Sequence, residues 1–255
     1  EEALPVGNGR LGAMVFGNPV KEVIQLNEES IWAGSKINNN NPEALKHLKE
    51  LQNALFKSNY GDAWKIADKY FMGTPREIRS YQTLGNLIIE YNWNETPSDY
   101  RRELNLQTGI ATTLCKIGQS VFLQKVYVSA PDNIIVIELN SANNRVINAS
   151  ISLQREVDAI TTAYPNGSIK LKGQIIDKDD PKKGPGGAHM KFNAELRVKT
   201  FEGIVRAEKD KLIISNAKTV TIILTAATDY NLEKLDFDRA INPEERCKTI
   251  LDKAT

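Results

Sequence analysis

The stretch ALPVGNGRLGAMVFG occupies residues 3–17 and consists of two short apolar runs joined by a glycine-rich turn. Gly7, Gly9 and Gly12 have the spacing of a dinucleotide-binding fingerprint, and Glu28 follows at about the distance of a ribose-binding acid. That fingerprint requires a strand before the glycines and a helix after them. Here a short, proline-containing segment precedes the glycines and a strand-like run follows. We therefore predict a tight turn between two strands.

Length and charge exclude several classes of function. The 255 residues include 33 Lys and Arg against 32 Asp and Glu, which gives a net charge of +1. A chain so balanced creates no overall field that would attract nucleic acid or an anionic membrane. Nor does any run approach the ~18–20 apolar residues of a membrane-spanning helix. We predict no nucleic-acid partner and no membrane insertion. The length fits one large β domain or two ordinary ones, and the absence of a linker before about residue 240 favours one.

Side chains that commonly bind metals are few and scattered. Cys115 and Cys247 are the only cysteines, and His47 and His189 are the only histidines. Their positions show none of the short spacings that zinc sites use. The acid-rich segment at residues 177–187 lacks the alternate acids and distal Glu of a calcium loop, so it is interpreted as a solvated hairpin loop. We expect no metal and no other cofactor.

Strand patterns account for most of the chain. Residues 20–26 alternate with a period of two, so that Glu22, Ile24 and Leu26 share one face. Further strands, each bounded by turn residues, are predicted at residues 84–91, 101–106, 110–117, 120–129, 134–140, 146–153, 159–164, 168–175, 190–201, 204–208, 212–215 and 220–227. Short strands with regular turn signals indicate an antiparallel meander, and so many of them require two stacked sheets. The apolar run at residues 220–227 predicts a central strand.

Two amphipathic helices interrupt the strands. Asn41 and Pro42 form a start signal, with Asn41 as the predicted N-cap, and apolar residues follow at helical spacing. A second helix is predicted from Asp62 to the stop signal at Gly73. Its Trp64 is expected in the core, because aromatic residues at helical spacing usually pack there. The pattern predicts an inserted αα-hairpin.

No catalytic triad is recognisable around the two histidines. A pair of carboxylates of the glycosidase type is harder to exclude, because such acids come from any two loops. Glu28 is the strongest candidate, since Asn27 and Trp32 accompany it and an acid, an amide and an aromatic ring suit a sugar. In the structural alternative, Glu28 caps the turn and Trp32 packs on the sheets. The other carboxylates are candidates by residue type only: Glu29, Asp62, Glu77 and Asp229.

Four ordered motifs mark the first part of the chain. They are ALPVGNGRLGAMVFG at residues 3–17, QLNEESIWAG at residues 25–34, YQTLGNL at residues 81–87 and YRRELNL at residues 100–106. Two later landmarks are SAPDN at residues 129–133 and AATDY at residues 226–230. Together they resemble the N-terminal region of glycoside hydrolase family 95, the α-L-fucosidases and related α-L-galactosidases. Asn86 and Asn105 replace the usual Asp, and Ser30 stands where Thr is common, so the substrate stays open.

The resemblance implies a large antiparallel two-sheet β-supersandwich at residues 1–238, with the helical insertion at about residues 42–73. Residues 239–255, including a helix predicted at residues 243–254, would begin the linker to an (α/α)6 barrel. In that family the barrel supplies the catalytic groups of an inverting hydrolysis. The chain is therefore expected to be a non-catalytic domain of a bacterial enzyme of carbohydrate metabolism.

The expected partners are the catalytic barrel and, in the whole enzyme, a fucosylated or related glycan. Asn27, Glu28 and Trp32 are the candidates for the rim of the substrate pocket. The resemblance also leads us to expect a periplasmic or secreted protein. Two alternatives remain open, namely an autonomous carbohydrate-binding module and a purely structural interdomain scaffold.

Overall fold

Two large antiparallel β-sheets share one hydrophobic core in the computed structural model, which describes residues 2–143 and 145–254. The strands are β1 (Leu4–Gly7), β2 (Leu11–Val15), β3 (Lys21–Glu28), β4 (Gly85–Tyr91), β5 (Pro97–Asn105), β6 (Ile110–Ile117), β7 (Ser120–Ser129), β8 (Ile134–Ser141), β9 (Ile147–Gln154), β10 (Ala159–Tyr164), β11 (Ser168–Asp177), β12 (Gly187–Phe201), β13 (Ile204–Glu208), β14 (Lys211–Ala217), β15 (Thr219–Thr228), β16 (Tyr230–Asn231) and β17 (Asp236–Phe237). The helices are α1 (Ala44–Phe56), α2 (Tyr60–Tyr70) and α3 (Pro243–Lys253). This confirms the predicted mainly-β fold with two stacked sheets.

The chain changes sheets repeatedly. The seven-stranded sheet has the order β1-β2-β3-β4-β9-β14-β13, and the eight-stranded sheet has the order β10-β11-β12-β15-β8-β7-β6-β5. The predicted meander is therefore right for β5 to β8 and wrong for the chain as a whole. The chain crosses between the sheets because the sandwich buries one apolar face of each sheet against the other, and strands from different parts of the chain contribute to both faces. The short ribbon β16–β17 was not predicted.

The glycine-rich opening forms the predicted turn. Gly7 pairs with Gly12 across the β1–β2 hairpin, and Gly9 in the turn has a φ of 92°, which a residue with a side chain rarely adopts. A strand, β2, follows the glycines, so no helix N-terminus is available to face a pyrophosphate. The dinucleotide interpretation is excluded by this geometry.

Strand β15 occupies the central position that its apolar run predicts. It pairs with β12 on one side and with β8 on the other. Val220, Ile222, Leu224 and Ala226 point into the core and are buried. Burial of each of the larger side chains among them contributes about 1.5–3 kcal/mol to the free energy of unfolding. This strand is therefore a main source of the stability of the sandwich.

The αα-hairpin forms, but its first helix begins later than predicted. The Asn41 side chain accepts a hydrogen bond from the Glu43 backbone at 3.0 Å, and α1 starts only at Ala44 with Glu43 as its N-cap. Asn41 therefore closes a turn in front of the helix, which is the other common use of Asn beside Pro. The second helix begins at Tyr60, where the Asn59 side chain caps it.

The expectation that the hairpin aromatics lie in the core is wrong for Trp64, whose side chain is 68% exposed. Helices α1 and α2 pack mainly on each other and not on the sheets. Within them Ala54 and Ala63 are buried, whereas Phe56 and Tyr60 are exposed with Trp64. An amphipathic stripe indicates that a face can be buried, and here much of that face has no covering element among the described residues.

Helix α3 lies against the outer face of the eight-stranded sheet, on β12 and β15. Asn242 caps it by accepting from the backbone of Glu244 at 3.0 Å, and Pro243 occupies its first turn. Cys247 and Leu251 are its buried apolar anchors. Among the described residues, no helix is long and apolar enough to cross a membrane.

Candidate functional site

Several of the sequence motifs meet at one end of the sandwich. The β1–β2 turn brings Arg10, the end of β3 brings Glu28 and Ser30, and the turn before β8 brings Asn133. The end of β15 adds Thr228. We call these five residues the Arg10 corner. They come from both sheets, so the corner is a junction between the two layers.

Arg10 is the side chain that joins the layers. Its Nη1 donates to the Ala226 carbonyl at 2.7 Å, and its Nη2 donates to the Thr225 hydroxyl at 3.2 Å. Its Nε donates to the Asn133 side chain at 3.3 Å. A planar guanidinium can make several such bonds at once, which a lysine ammonium cannot match in geometry. Arg10 thus fixes the hairpin of one sheet to strand β15 and to the turn before β8 in the other sheet.

Glu28 faces Arg10 and caps the turn that follows β3. Its side chain is almost fully buried, and its Oε1 lies 3.6 Å from Arg10 Nη1. Its Oε2 accepts from the Ser30 backbone at 2.8 Å and from the Ser30 hydroxyl at 2.7 Å. The Ser30 hydroxyl is 2.6 Å from that of Thr228. Burial raises the pKa of Glu28, while the Ser30 hydrogen bonds and Arg10 oppose that rise.

Trp32 and Tyr81 form an aromatic pair beside the corner. Their ring centroids are 5.4 Å apart at an interplanar angle of 64°, and the side chains are 44% and 38% exposed. The Tyr81 hydroxyl donates to the Glu28 carbonyl at 3.0 Å and lies 3.5 Å from Asn27 Oδ1. The structure therefore gathers Asn27, Glu28 and Trp32 at one end of the sandwich. Trp32 is exposed, contrary to the alternative in which it packs on the sheets.

Two adjoining cavities open at this end. The larger, of about 990 Å³, lies between the turn at Ser30 and helix α3, and Arg10, Glu28 and Arg246 help to line it. The smaller, of about 480 Å³, contains Trp32. The two share Glu29, Ser30, Tyr230 and Leu232. Both volumes fall in the range of ligand pockets. Glu28 and Trp32 thus line neighbouring cavities and not one common pocket.

Three of the five carboxylates that the sequence singled out are engaged in structural contacts. The other two, Glu29 and Glu77, are exposed, and Glu29 lines both cavities at this end. Glu28 is bound as described, and Asp229 accepts from the Lys191 backbone at 2.8 Å and pairs with Arg239. Asp62 lies on the exposed hairpin, where it bonds with Asn59 and Lys65. A glycosidase needs an acid and a base that both face the sugar. The oxygens of Glu28 and Asp229 face protein donors instead, so these acids position the backbone.

Metal-binding groups do not assemble in the part of the chain that the structure describes. Within residues 2–143 and 145–254, no three His, Cys, Asp or Glu side chains lie in an arrangement that could hold an ion. Burial raises the pKa of the Cys115 thiol to about 11 and that of Cys247 to about 12. Both thiols are therefore protonated at neutral pH and behave as small apolar side chains.

The role of Arg10 was not foreseen from the sequence. Arg10 lies in a glycine-rich turn, and its partner Ala226 is 216 residues away in the chain. A single charged residue inside an otherwise apolar and glycine-rich stretch was the available signal. The roles of Ser30 and Thr228 were also not predicted, because small hydroxyl side chains carry no distinctive sequence pattern.

Comparison with known proteins identifies the family. The family model described as "Glycosyl hydrolase family 65, N-terminal domain" matches residues 1–233. The chain belongs to this family. The expected N-terminal domain of a glycoside hydrolase is thereby confirmed, and the matches do not distinguish family 65 from family 95.

Curated relatives are named as fucosidases. "Alpha-L-fucosidase 2" of Arabidopsis thaliana is 25% identical over 264 residues, covering 96% of this chain and 31% of the relative. "Probable alpha-fucosidase A" of Aspergillus oryzae is 28% identical over 241 residues, covering 90% of this chain and 32% of the relative. The chain thus spans about a third of the length of these relatives.

A solved structure supports the fold. The chain described as "Putative kojibiose phosphorylase from human microbiome" superposes with a TM-score of 0.51 and 13% identity. The match covers 100% of this chain and 33% of that one. At this identity the likeness concerns the fold alone.

Proposed function

We propose that the chain is the non-catalytic N-terminal domain of an inverting, exo-acting glycoside hydrolase that removes α-L-fucose from glycans. In the whole enzyme it packs on a catalytic (α/α)6 barrel, and residues 27–34 reach the rim of the substrate pocket. The observation that carries this proposal is the Arg10 corner, where family motifs converge and the buried Glu28 carboxylate is used to hold a turn. Such a corner supports neighbouring groups and performs no proton transfer itself.

The relatives support the same assignment. Two of them are named as α-fucosidases, and the matched segment is 31% and 32% of their length. The remaining two thirds leave room for a catalytic domain of ordinary size. The exposed apolar side chains of Phe56, Tyr60 and Trp64 are consistent with a surface that another domain covers.

The rim assignment rests on Trp32. Its ring is held by Tyr81 from the side and remains 44% exposed at the mouth of a cavity. Aromatic faces combine a large apolar area with few rotatable bonds, which suits the apolar face of a sugar ring. Asn27 provides an amide close to the same place.

An enzyme containing this chain and its barrel tests the rim. We expect Trp32→Ala to lower kcat/KM for an aryl α-L-fucoside about ten-fold, mainly through KM, because one stacking contact of about 1.4 kcal/mol is lost. Phe201→Ala is the matched control. Phe201 is exposed at the C-terminal end of β12, whereas Met190, near the start of β12, lines the cavity that contains Trp32. Unchanged kinetics for Trp32→Ala would remove this segment from the rim.

The autonomous carbohydrate-binding module is the second candidate, and the exposed pair of Trp32 and Tyr81 favours it. Trp93 does not, because its ring stacks on Tyr91 and its Nε1 donates to the Pro19 carbonyl at 2.7 Å. Calorimetry with a fucosylated oligosaccharide separates the candidates. An autonomous module should show a heat of binding with a dissociation constant in the micromolar range, and that heat should disappear in Trp32→Ala. A supporting domain should show no heat of binding.

A further inference from the structure

Three amide side chains lie side by side on the outer face of the seven-stranded sheet. Gln25 of β3 is paired with Asn86 of β4, and Asn86 is paired with Gln154 of β9. We call these three residues the amide row. Their neighbours Ile24, Leu87 and Leu153 point to the opposite face and are buried in the core. The alternation of strands therefore forces all three amides outward in one line.

The amide row forms the floor of a cavity of about 800 Å³. One wall is the segment after β9, including Arg155 and Val157, and the other sides include Gln82, Thr161 and Asp210. This cavity shares no lining residue with the two cavities at the Arg10 corner. It is a separate concave site, and its volume is that of a ligand pocket.

All three amides keep free hydrogen-bonding groups with respect to the residues that the structure describes. Among residues 2–143 and 145–254, the side chains of Gln25 and Asn86 make no hydrogen bond, although both are half-buried. Gln154 donates to the Ser152 hydroxyl at 3.3 Å and keeps its carbonyl oxygen open. Each amide offers donors and an acceptor in fixed directions. Half-buried groups of this kind gain more from a bound partner than fully solvated ones.

The cavity is unsuited to an anion. Arg155 is its cation, but Nη2 donates to Gln82 at 2.6 Å and Nε donates to the Val157 carbonyl at 3.1 Å. Exposed carboxylates of Glu156 and Asp210 also stand among the lining residues. A phosphate or a uronic acid would therefore meet like charges and a guanidinium that is already bound.

We propose that the amide row binds a neutral oligosaccharide, in a second carbohydrate site distinct from the rim at Trp32. Adjacent strands are about 4.8 Å apart, so the three amides span about 10 Å, roughly the reach of two linked sugar rings. Hydroxyl groups both donate and accept, as the amides do. The described residues that line the cavity include no aromatic ring, so binding is weak, with a dissociation constant of about 1 mM.

A nuclear magnetic resonance titration of the full 255-residue chain with cellotetraose and with maltotetraose tests this proposal. We expect backbone signals around Gln25, Asn86 and Gln154 to shift with at least one of these probes. The double variant Gln25→Ala with Asn86→Ala should bind at least about ten-fold more weakly, because two neutral hydrogen bonds are lost. Asn86→Asp, which keeps the shape but loses the donor, should weaken binding about three-fold.

Ser150→Ala is the matched control, because Ser150 lies on the same outer face and outside the cavity lining. It should bind like the unmodified chain, and tetragalacturonate should bind less tightly than the neutral probes. Dispersed spectra of each variant establish that it folds. The proposal is overturned if neither neutral probe shifts the signals of the amide row, or if the shifted signals centre on Trp32. It is also overturned if Asn86→Asp and the double variant bind as tightly as the unmodified chain, or if tetragalacturonate binds as tightly as the neutral probes. Because the readout is binding by this chain, failure of the hydrolase assignment would leave it unaffected.

Discussion

Glu22 and Glu28 lie near opposite ends of strand β3, point to the same face and are both almost fully buried, at 0% and 4% exposure. Their surroundings differ in charge. Glu22 accepts from Gln124 Nε2 at 2.9 Å and from the Gly17 backbone at 2.9 Å, while Tyr91 donates to Gln124 at 2.6 Å. Glu28 has the guanidinium of Arg10 beside it.

Burial raises the pKa of both acids, and the comparison shows how the partner changes the role of a buried acid. Burial raises the pKa of Glu22 to about 7, and its neutral hydrogen-bond donors only partly oppose this. Glu22 is therefore a carboxyl group buried in the core that titrates near neutral pH. Glu28 is stabilised as a carboxylate by Arg10 and Ser30, and it links a turn to the junction between the sheets.

The largest expected effect follows removal of Arg10. Arg10→Met should lower the free energy of unfolding by about 3 kcal/mol, because Glu28 is left buried without its cation and the bonds to β15 are lost. Urea denaturation followed by fluorescence measures this change. Arg101→Met is the control, since the pair of Arg101 and Glu103 is exposed and should cost no more than about 0.5 kcal/mol. Equal losses in the two variants would contradict the role of Arg10.

Glu22 should make stability depend on pH. Its ordinary pKa of 4.5 applies in the unfolded chain, and burial raises the pKa to about 7 in the fold. Between these values the unfolded chain is ionised and the folded one is protonated. The contribution to stability is therefore complete below pH 4.5 and is lost as the pH rises to about 7, a fall of about 3 kcal/mol.

The variant Glu22→Gln cannot titrate and should lose that fall. Urea denaturation at a series of pH values from about 4.5 to 8 compares it with the unmodified chain. The difference in unfolding free energy between the two chains should change by about 3 kcal/mol across the window. A difference that stays constant with pH would show that the environment of Glu22 does not raise its pKa.

A smaller effect is expected at Ser30. Ser30→Ala removes the hydroxyl that donates to Glu28 and contacts Thr228, so unfolding should become easier by about 1 kcal/mol. The same hydrogen bond lowers the pKa of Glu28, so that pKa should rise in the variant. Ser152→Ala, on the outer face of β9, is the control and should change stability by less than about 0.5 kcal/mol. A larger loss in the control than in Ser30→Ala would contradict the assignment.

Periodicity and turn residues were enough to predict much of the sandwich. Strands β6 and β7 have the bounds that the sequence predicts, because alternating side chains are flanked by turns containing Gly109 and Gly118. The same alternation placed Glu22 on the core face with Ile24. Local pattern succeeds here because one buried face and a tight turn are properties of neighbouring residues.

Long-range contacts account for what the sequence could not predict. Asn27, Glu28 and Trp32 were recognised as a cluster because they are close in sequence, but Arg10 meets Thr225 across 215 positions. The exposure of Trp64 depends on how the αα-hairpin is oriented relative to the sheets. An amphipathic pattern within a helix does not determine that orientation. The assignment of residues 27–34 to a pocket rim stays a prediction.

Hydrolysis of an aryl α-L-fucoside by the purified 255-residue chain tests the central claim most directly. The account predicts no turnover above the uncatalysed rate, because the buried carboxylates of Glu28 and Asp229 face protein donors and do not form a pair that faces a sugar. Sustained turnover that is abolished by Glu28→Gln in a folded variant would contradict the account and would make Glu28 a catalytic residue.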